Sequence, residues 1–315
     1  MTTFGLALPH YDGFFPDTSI AGARRTRAAI SYAQRAEAIG FDEIWVSDHL
    51  GLNIDDGPAR RSSDCWTLLA AIAAETRSIR LGSLVSNASL RPPALLAHQV
   101  ATVLDLAGPR IDVGIGAGWN RDEYATAGLA FPSGPERLAL VKGTAAELRR
   151  ATGTAIPPLW IGGKRSGILT VAAEIADGWN FAWDPTPDQF RSRYARLGDL
   201  AGQTGRAVPQ ASVGLTTVVG RDERDLQRRW ERLRRWVPGG HLDSVQFDEW
   251  RTRGLVGSVE EVSDRVHRWG QQGVDHIICA FGMPFGLFDD EQLDLAQKAL
   301  GLAARPGAVG PSAPS

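Results

Sequence analysis

Leu159-Trp160-Ile161-Gly162-Gly163-Lys164-Arg165-Ser166 opens the stretch that decides the fold. A short apolar run at 159–161 reads as a strand, and the two glycines turn the chain. An apolar helical pattern follows from about 166 to 175. Gly178-Trp179-Asn180-Phe181 then reads as a second strand. Strand, helix and strand in that order form a unit whose two strands lie parallel.

The same alternation continues on both sides. Upstream, strands are expected at 4–8, 43–47, 79–85 and 110–115, with helices at 24–39, 64–75, from Pro92 to 104, at 122–127 and at 135–150. Downstream, strands are expected at 213–219 and 276–280, with helices at 187–200, 223–236, 258–271 and 290–302. Ser63 or Asp64 suits the cap of one helix. Ser258 followed by Glu261 has the spacing of a capping box. Strands separated by helices, eight times over, argue for a parallel sheet buried on both faces and closed into a (β/α)₈ TIM barrel. The rival architecture is an open doubly wound sheet.

The chain has 315 residues, 43% of them hydrophobic, so it can fill a large core. One barrel domain is expected over residues 1–303, with a disordered tail of Pro, Gly, Ala and Ser over 304–315. A net charge of −2 gives no basis for a nucleic-acid or anionic-membrane partner. No apolar run reaches the length of a membrane span, and the start of the chain lacks the pattern of a signal peptide. A cytoplasmic location is the resulting expectation. Cys65 and Cys279 are the only cysteines, and they read as buried thiols rather than a disulfide or zinc site. The histidines, at 10, 49, 98, 241, 267 and 276, show no metal-ligand spacing, so no metal is expected.

Barrel enzymes place their chemistry where strands end at the carboxyl face. The second strand runs into Ser47, Asp48 and His49. An imidazole there titrates near neutrality and can give or take a proton, or it can simply bond a loop carbonyl. Ser83, Leu84, Val85, Ser86 and Asn87 end the third strand, where small and polar residues allow a flat ligand to approach the backbone. Gly116, Ala117, Gly118 and Trp119 end the fourth. These glycines are neither a Walker A loop nor a well-placed dinucleotide fingerprint, because no Gly-Lys-Ser/Thr follows and the motif sits on the fourth unit. The fifth strand end is sharper. Gly162 and Gly163 with free amides, a helix N-terminus, one of only three lysines (Lys164) and Arg165 point to an anion site, with a solvated basic turn as the alternative. Trp179, Asn180, Phe181, Ala182 and Trp183 after the sixth strand, and Phe281 to Phe285 after the eighth, suit apolar walls, with core packing as the alternative.

These strand ends, taken in order, resemble a known family. Ala38-Ile39-Gly40-Phe41-Asp42-Glu43-Ile44-Trp45-Val46-Ser47-Asp48-His49, Ile79-Arg80-Leu81-Gly82-Ser83-Leu84-Val85-Ser86, Gly114-Ile115-Gly116-Ala117-Gly118-Trp119-Asn120 with Glu123-Tyr124, and Pro158-Leu159-Trp160-Ile161-Gly162-Gly163 carry the likeness. The chain resembles the luciferase-like monooxygenase superfamily over roughly residues 3–300, and within it the branch that uses coenzyme F420, an 8-hydroxy-5-deazaflavin. The resemblance implies a ring bound at the carboxyl end of the barrel. Asp48 and His49 would lie beside it, and residues 83–87 would run along one face with a non-prolyl cis peptide near Leu84–Val85. Gly116, Ala117, Gly118 and Trp119 would contact the ring or its side chain. Tyr124 would point toward the phosphate held by Gly162, Gly163 and Lys164. A homodimer is implied in the same way.

The implied activity is hydride transfer between the deazaflavin and a small organic substrate, with His49 exchanging a proton and Asp48 orienting it. The alternative on the same barrel is an FMN-dependent monooxygenase that uses reduced flavin and oxygen. A non-catalytic flavin-binding barrel and a metal-dependent hydrolase are the readings from other classes. Two departures from the family pattern stand out. The connection from the helix ending near Arg150 to the fifth strand is short, and Trp119 stands where some deazaflavin dehydrogenases carry a glutamate.

Overall fold

The computed structural model describes residues 2–11, 23–52, 60–236, 242–282 and 288–305. Its barrel strands are β1 (Thr3–Ala7), β2 (Glu43–Val46), β3 (Arg80–Ser83), β4 (Ile111–Gly116), β5 (Leu159–Gly162), β6 (Gly178–Phe181), β7 (Gln210–Gly220) and β8 (His276–Phe281). Each pairs in parallel with the next, and β8 pairs with β1, so the sheet closes. The (β/α)₈ barrel is therefore present and the open sheet is excluded. Helices stand outside it, with caps the sequence announces. Asp64 accepts from Thr67 N ahead of Cys65–Glu75, and Ser258 and Glu261 complete a capping box at Val259–Gln271. The connection from helix Gly134–Thr152 to β5 is confined to residues 153–158. Both cysteines are buried thiols. No helix among the described residues is long and apolar enough to cross a membrane.

Between β7 and β8 the chain adds helix Glu223–Trp236, a short helix Phe247–Trp250 and the strand Leu255–Ser258, which extends the sheet along the second half of β7. A satellite core of Leu226, Trp230, Leu233, Trp250 and Val256 holds this addition together. No strand is expected here from the sequence, which places the start of the next helix at Ser258.

Most α/β barrels fill their interior with layers of branched side chains. Here a few large side chains fill holes left by glycines. A Cβ on Gly5 or on Gly82 would stand 2.6 Å from atoms of the Trp45 ring. Gly178 lies in the same way against Trp160, and Gly214 against Trp183. Val85 projects toward Gly114, Gly116 and Gly162. Trp45 and Trp160 meet edge to face, with centroids 5.9 Å apart.

Buried indoles need partners for their N–H groups, and the barrel floor supplies them. Trp45 Nε1 donates to His276 Nε2 at 2.8 Å, and Trp160 Nε1 donates to Asp112 Oδ1 at 3.1 Å. A His276 that accepts at Nε2 carries its hydrogen at Nδ1, which lies 2.7 Å from Thr3 Oγ1. Burial holds His276 neutral, with its pKa lowered to about 3. Arg80 Nε donates to Asp112 at 2.6 Å. Beside Asp112 lies Glu43, whose pKa is raised well above the usual carboxylate range, first by burial and then by the neighbouring Asp112 charge. Glu43 thus binds its proton more tightly in the folded state. That stabilisation is fully present below the unfolded carboxylate value of about 4.3 and is lost as pH rises through the folded value. Glu43→Gln cannot ionise. Its unfolding free energy relative to wild type should therefore increase as pH is raised from about 4 toward 8, as read by urea melts at each pH. Parallel curves for the two proteins would remove this role for Glu43.

Both ends of the described chain meet at the floor. Asp42 Oδ2 accepts from Phe4 N at 2.8 Å, and Asp42 Oδ1 accepts from Arg305 Nη2 at 3.3 Å. Arg305 N also donates to Ala38 O at 3.0 Å. Packing thus continues through Arg305, and the rest of the expected tail, 306–315, lies outside the described residues.

Candidate active site

An apolar cluster of Ala7, Trp45, Leu84, Trp160, Ile278 and Ala280 fills the barrel interior, and half-buried Val85 and Trp183 pack against it at the mouth formed by the carboxyl ends of the strands. Leu84–Val85 is a cis peptide, as expected, and Ala182–Trp183 is a second one that the sequence did not suggest. The apolar wall expected at 283–285 lies outside the described residues.

His49 stands at one side of this mouth. Its Nδ1 lies 2.9 Å from both carboxylate oxygens of Glu123, and Leu50 N donates to Glu123 Oε1 at 2.7 Å. Glu123 sits on the short helix Arg121–Thr126, started by Asn120, whose side chain accepts from Asp122 N. That helix follows the glycine turn after β4, so the turn delivers a carboxylate to the end of β2. The expected Asp48–His49 couple does not form. Successive residues leaving a strand point to opposite sides, and Asp48 turns to Arg91, with its oxygens 3.0 Å from Nε and 2.8 Å from Nη2, and to Asn87 N at 3.1 Å. Arg91 is gripped by Asp64 as well, at 2.6 Å. Asp48 therefore fixes the loop after β3, and Glu123 is the carboxylate on the imidazole.

Trp119 follows the glycines of β4. Its ring is 70% exposed and stands edge-on to His49, with centroids 5.8 Å apart. Below the mouth, Ser47 Oγ lies 2.8 Å from His10 Nε2 and 2.6 Å from Tyr11 Oη. Burial lowers His10 to about 3, so it is neutral, and burial raises the Tyr11 hydroxyl so that it keeps its proton.

Several expected contacts are directed inward instead. Ser83 Oγ donates to Gly114 O and accepts from Gly114 N, stitching β3 to β4. Ser86 accepts from Trp66 Nε1. Asn87 Oδ1 accepts from Tyr124 Oη at 3.0 Å, and a side chain at Gly118 would strike that bond. The Tyr124 hydroxyl is therefore engaged and does not reach out toward a phosphate. Ala117 packs half-buried against the core. Buried polar groups need partners, and these residues supply one another's. Of residues 83–87, only Leu84 and Val85 join the apolar patch.

The glycine turn after β5 is also different in detail. Gly163 N is not free, because it donates to Asn180 O at 3.1 Å, and Gly163 O accepts from Trp179 Nε1 at 2.7 Å. Those bonds fix the turn, with Gly163 at a φ of +138° that only glycine adopts readily. Beyond it, helix Ser166–Ile175 starts with no side-chain cap. Exposed Lys164 and Arg165 stand at that start, and Arg193 Nε donates to Lys164 O at 3.0 Å. The cationic corner is thus Lys164, Arg165 and Arg193 at an open helix N-terminus. Sequence reasoning found two of the three. Arg193 comes from the next helix and has no local signal, while Glu123 was visible only as part of the family pattern.

The barrel mouth thus carries apolar side chains, a carboxylate-paired imidazole and, separately, a cationic corner. Residues 3–276 match the family model described as luciferase-like monooxygenase, and the chain belongs to that family. It is 32% identical over 117 residues to an F420-dependent glucose-6-phosphate dehydrogenase of Amycolatopsis mediterranei, covering 37% of this chain and 34% of that protein. It is 28% identical over 165 residues to a 5,10-methylenetetrahydromethanopterin reductase of Archaeoglobus fulgidus, covering 47% of this chain and 46% of that one. The chain thus aligns with less than half the length of these relatives. Among solved structures, an F420-dependent secondary alcohol dehydrogenase superposes with a TM-score of 0.75 at 18% identity, over 95% of this chain and 98% of that one. An EDTA monooxygenase of Chelativorans superposes at 0.73 and 16%, over 95% and 93%. At these identities the structures bear on the fold. The relatives and neighbours named here are described as F420-dependent dehydrogenases, a reductase and a monooxygenase.

Proposed function

We propose that the protein is an F420-dependent oxidoreductase that moves hydride between the deazaflavin and a small organic alcohol or carbonyl compound. The observation that carries this reading is the His49–Glu123 pair at the barrel mouth. With Nδ1 held by Glu123, Nε2 is left to exchange a proton with a substrate oxygen. A carbonyl that gains hydride must gain a proton at oxygen, and an alcohol that loses hydride must lose one. The bound deazaflavin would supply or accept the hydride itself. The residues fit such a group. Half-buried Val85 and Trp183 offer apolar surface at the mouth, and Lys164, Arg165 and Arg193 offer charge for a phosphate at an open helix end. Asp48 and Arg91 hold the loop after β3 in register, and the exposed Trp119 shields one side of His49 from water.

Titration of the purified protein with F420 and with FMN tests the assignment. Saturable binding of F420 is expected, followed by oxidation or reduction of the bound cofactor by simple alcohols or ketones. Binding of FMN alone, with oxygen consumption, would establish the monooxygenase reading instead. Lys164→Ala with Arg193→Ala should weaken cofactor binding about tenfold or more, and the loss should shrink at high salt because the contact is ionic. Equal affinity at every salt concentration would move the phosphate elsewhere.

A further inference from the structure

The turn after β6 is fastened by a side chain that the proposed chemistry does not use. Asp184 has a φ of +48° and is the one non-glycine residue with positive φ among those described. Left-handed backbone is uncommon outside glycine and persists where surrounding contacts enforce it. Here the contacts come from β7. Asp184 Oδ1 accepts from Thr216 N at 2.7 Å, Asp184 Oδ2 accepts from Thr216 Oγ1 at 2.6 Å, and Asp184 N donates to Gly214 O at 2.9 Å. A side chain on Gly254, itself at a φ of +58°, would crowd Asp184 Oδ1 and Thr216 O. The turn is thus tied to β7 by three hydrogen bonds.

Immediately before Asp184 stands Trp183. The Cε3 and Cζ3 edge of its indole lies over Gly214, where a Cβ would approach within 2.6 Å. Trp183 is half-buried and belongs to the same apolar patch as Ala7, Leu84, Ile278 and Ala280. Unlike Trp45 and Trp160, it is not sealed into the barrel interior.

We propose that Asp184 is a positioning residue for the ring site: by latching the turn to Thr216 it holds the Trp183 indole over Gly214, where the indole forms one wall of the slot for a flat heterocycle. This rests on the reading above that a deazaflavin or flavin ring binds at the barrel mouth. A wall fixed in place costs the ligand less ordering than one that must be captured on binding. The latch would therefore act on affinity and on ring–indole contact rather than on the proton transfer at His49.

The experiment titrates F420, and in parallel FMN, into wild type, Thr216→Val, Asp184→Asn and Thr216→Ser, following quenching of cofactor fluorescence, with a thermal melt of each protein. Thr216→Val keeps the shape and removes one latch donor, Asp184→Asn keeps a residue that tolerates left-handed backbone, and Thr216→Ser restores the hydroxyl. Wild type should bind with strong quenching by the adjacent indole. Thr216→Val and Asp184→Asn should bind about tenfold more weakly with reduced maximal quenching, and Thr216→Ser should return both values toward wild type. Unchanged affinity and quenching in the first two variants would overturn the proposal, as would losses that track the melting temperature and are not restored by serine. Failure of wild type to bind either cofactor is a distinct outcome that would overturn the cofactor reading and this proposal with it.

Discussion

Replacing His49 with alanine is expected to lower turnover by about 10²- to 10⁴-fold, the usual contribution of a positioned acid–base group, while cofactor affinity changes by less than about threefold. The imidazole lies at the barrel mouth and away from the cationic corner at Lys164, so binding should tolerate its loss. Glu123→Gln should fall between the two proteins. A neutral amide can accept the Nδ1 hydrogen only in one orientation, so the imidazole is held less firmly and the rate should fall. Asp48→Asn offers the contrast. Asp48 is bonded to Arg91 and Asn87 N, so its replacement should loosen the loop after β3 and affect cofactor binding more than turnover. The readout is cofactor absorbance with any alcohol or ketone that wild type converts. A His49→Ala protein as fast as wild type would end the case for this imidazole as the proton partner.

Trp45→Ala should be the most damaging single change to stability. Trp45 is 1% exposed and fills the space left by Gly5 and Gly82. Deleting a buried aromatic costs about 3–5 kcal/mol when the surroundings cannot close the gap, and strands locked in a closed sheet have little freedom to do so. The loss also strips His276 Nε2 of its donor, which adds about 1–3 kcal/mol if that atom stays dry. Trp45→Phe separates the two effects, since it keeps most of the ring and loses only the N–H. Urea unfolding at neutral pH would show both. An alanine variant within about 1 kcal/mol of wild type would mean that the interior repacks, contrary to the glycine-and-indole arrangement.

The architecture was legible in the sequence because the strand–helix alternation repeats, and its punctuation follows local chemistry. Asp64 and Ser258 cap where they should, and the strand at 178–181 falls at the residues where it was read. The interior filling was not legible. Which glycine faces which tryptophan depends on the register between strands far apart in the chain, as with Gly82 and Trp45, and no local pattern encodes that. The site divides along the same line. His49 and Lys164 were found because each sits directly after a strand. The pairing of Asp48 with His49 failed because adjacency in sequence places two side chains on opposite sides of an extended backbone. Glu123 and Arg193 reach their places from other helices, and Ser83, Asn87 and Tyr124 look like ligand contacts until the buried partners each must satisfy are known.

Asp42 joins residue 4 to residue 305 through one carboxylate on the barrel floor. Both ends of the described residues therefore share an anchor on the barrel floor, at the pole opposite the strand ends that carry His49. A mechanical load drawn between them would fall first on Asp42 and the amino-terminal ends of β1 and β2, and last on His49. A carrier or surface joined on that side would leave the opening turned toward bulk solvent.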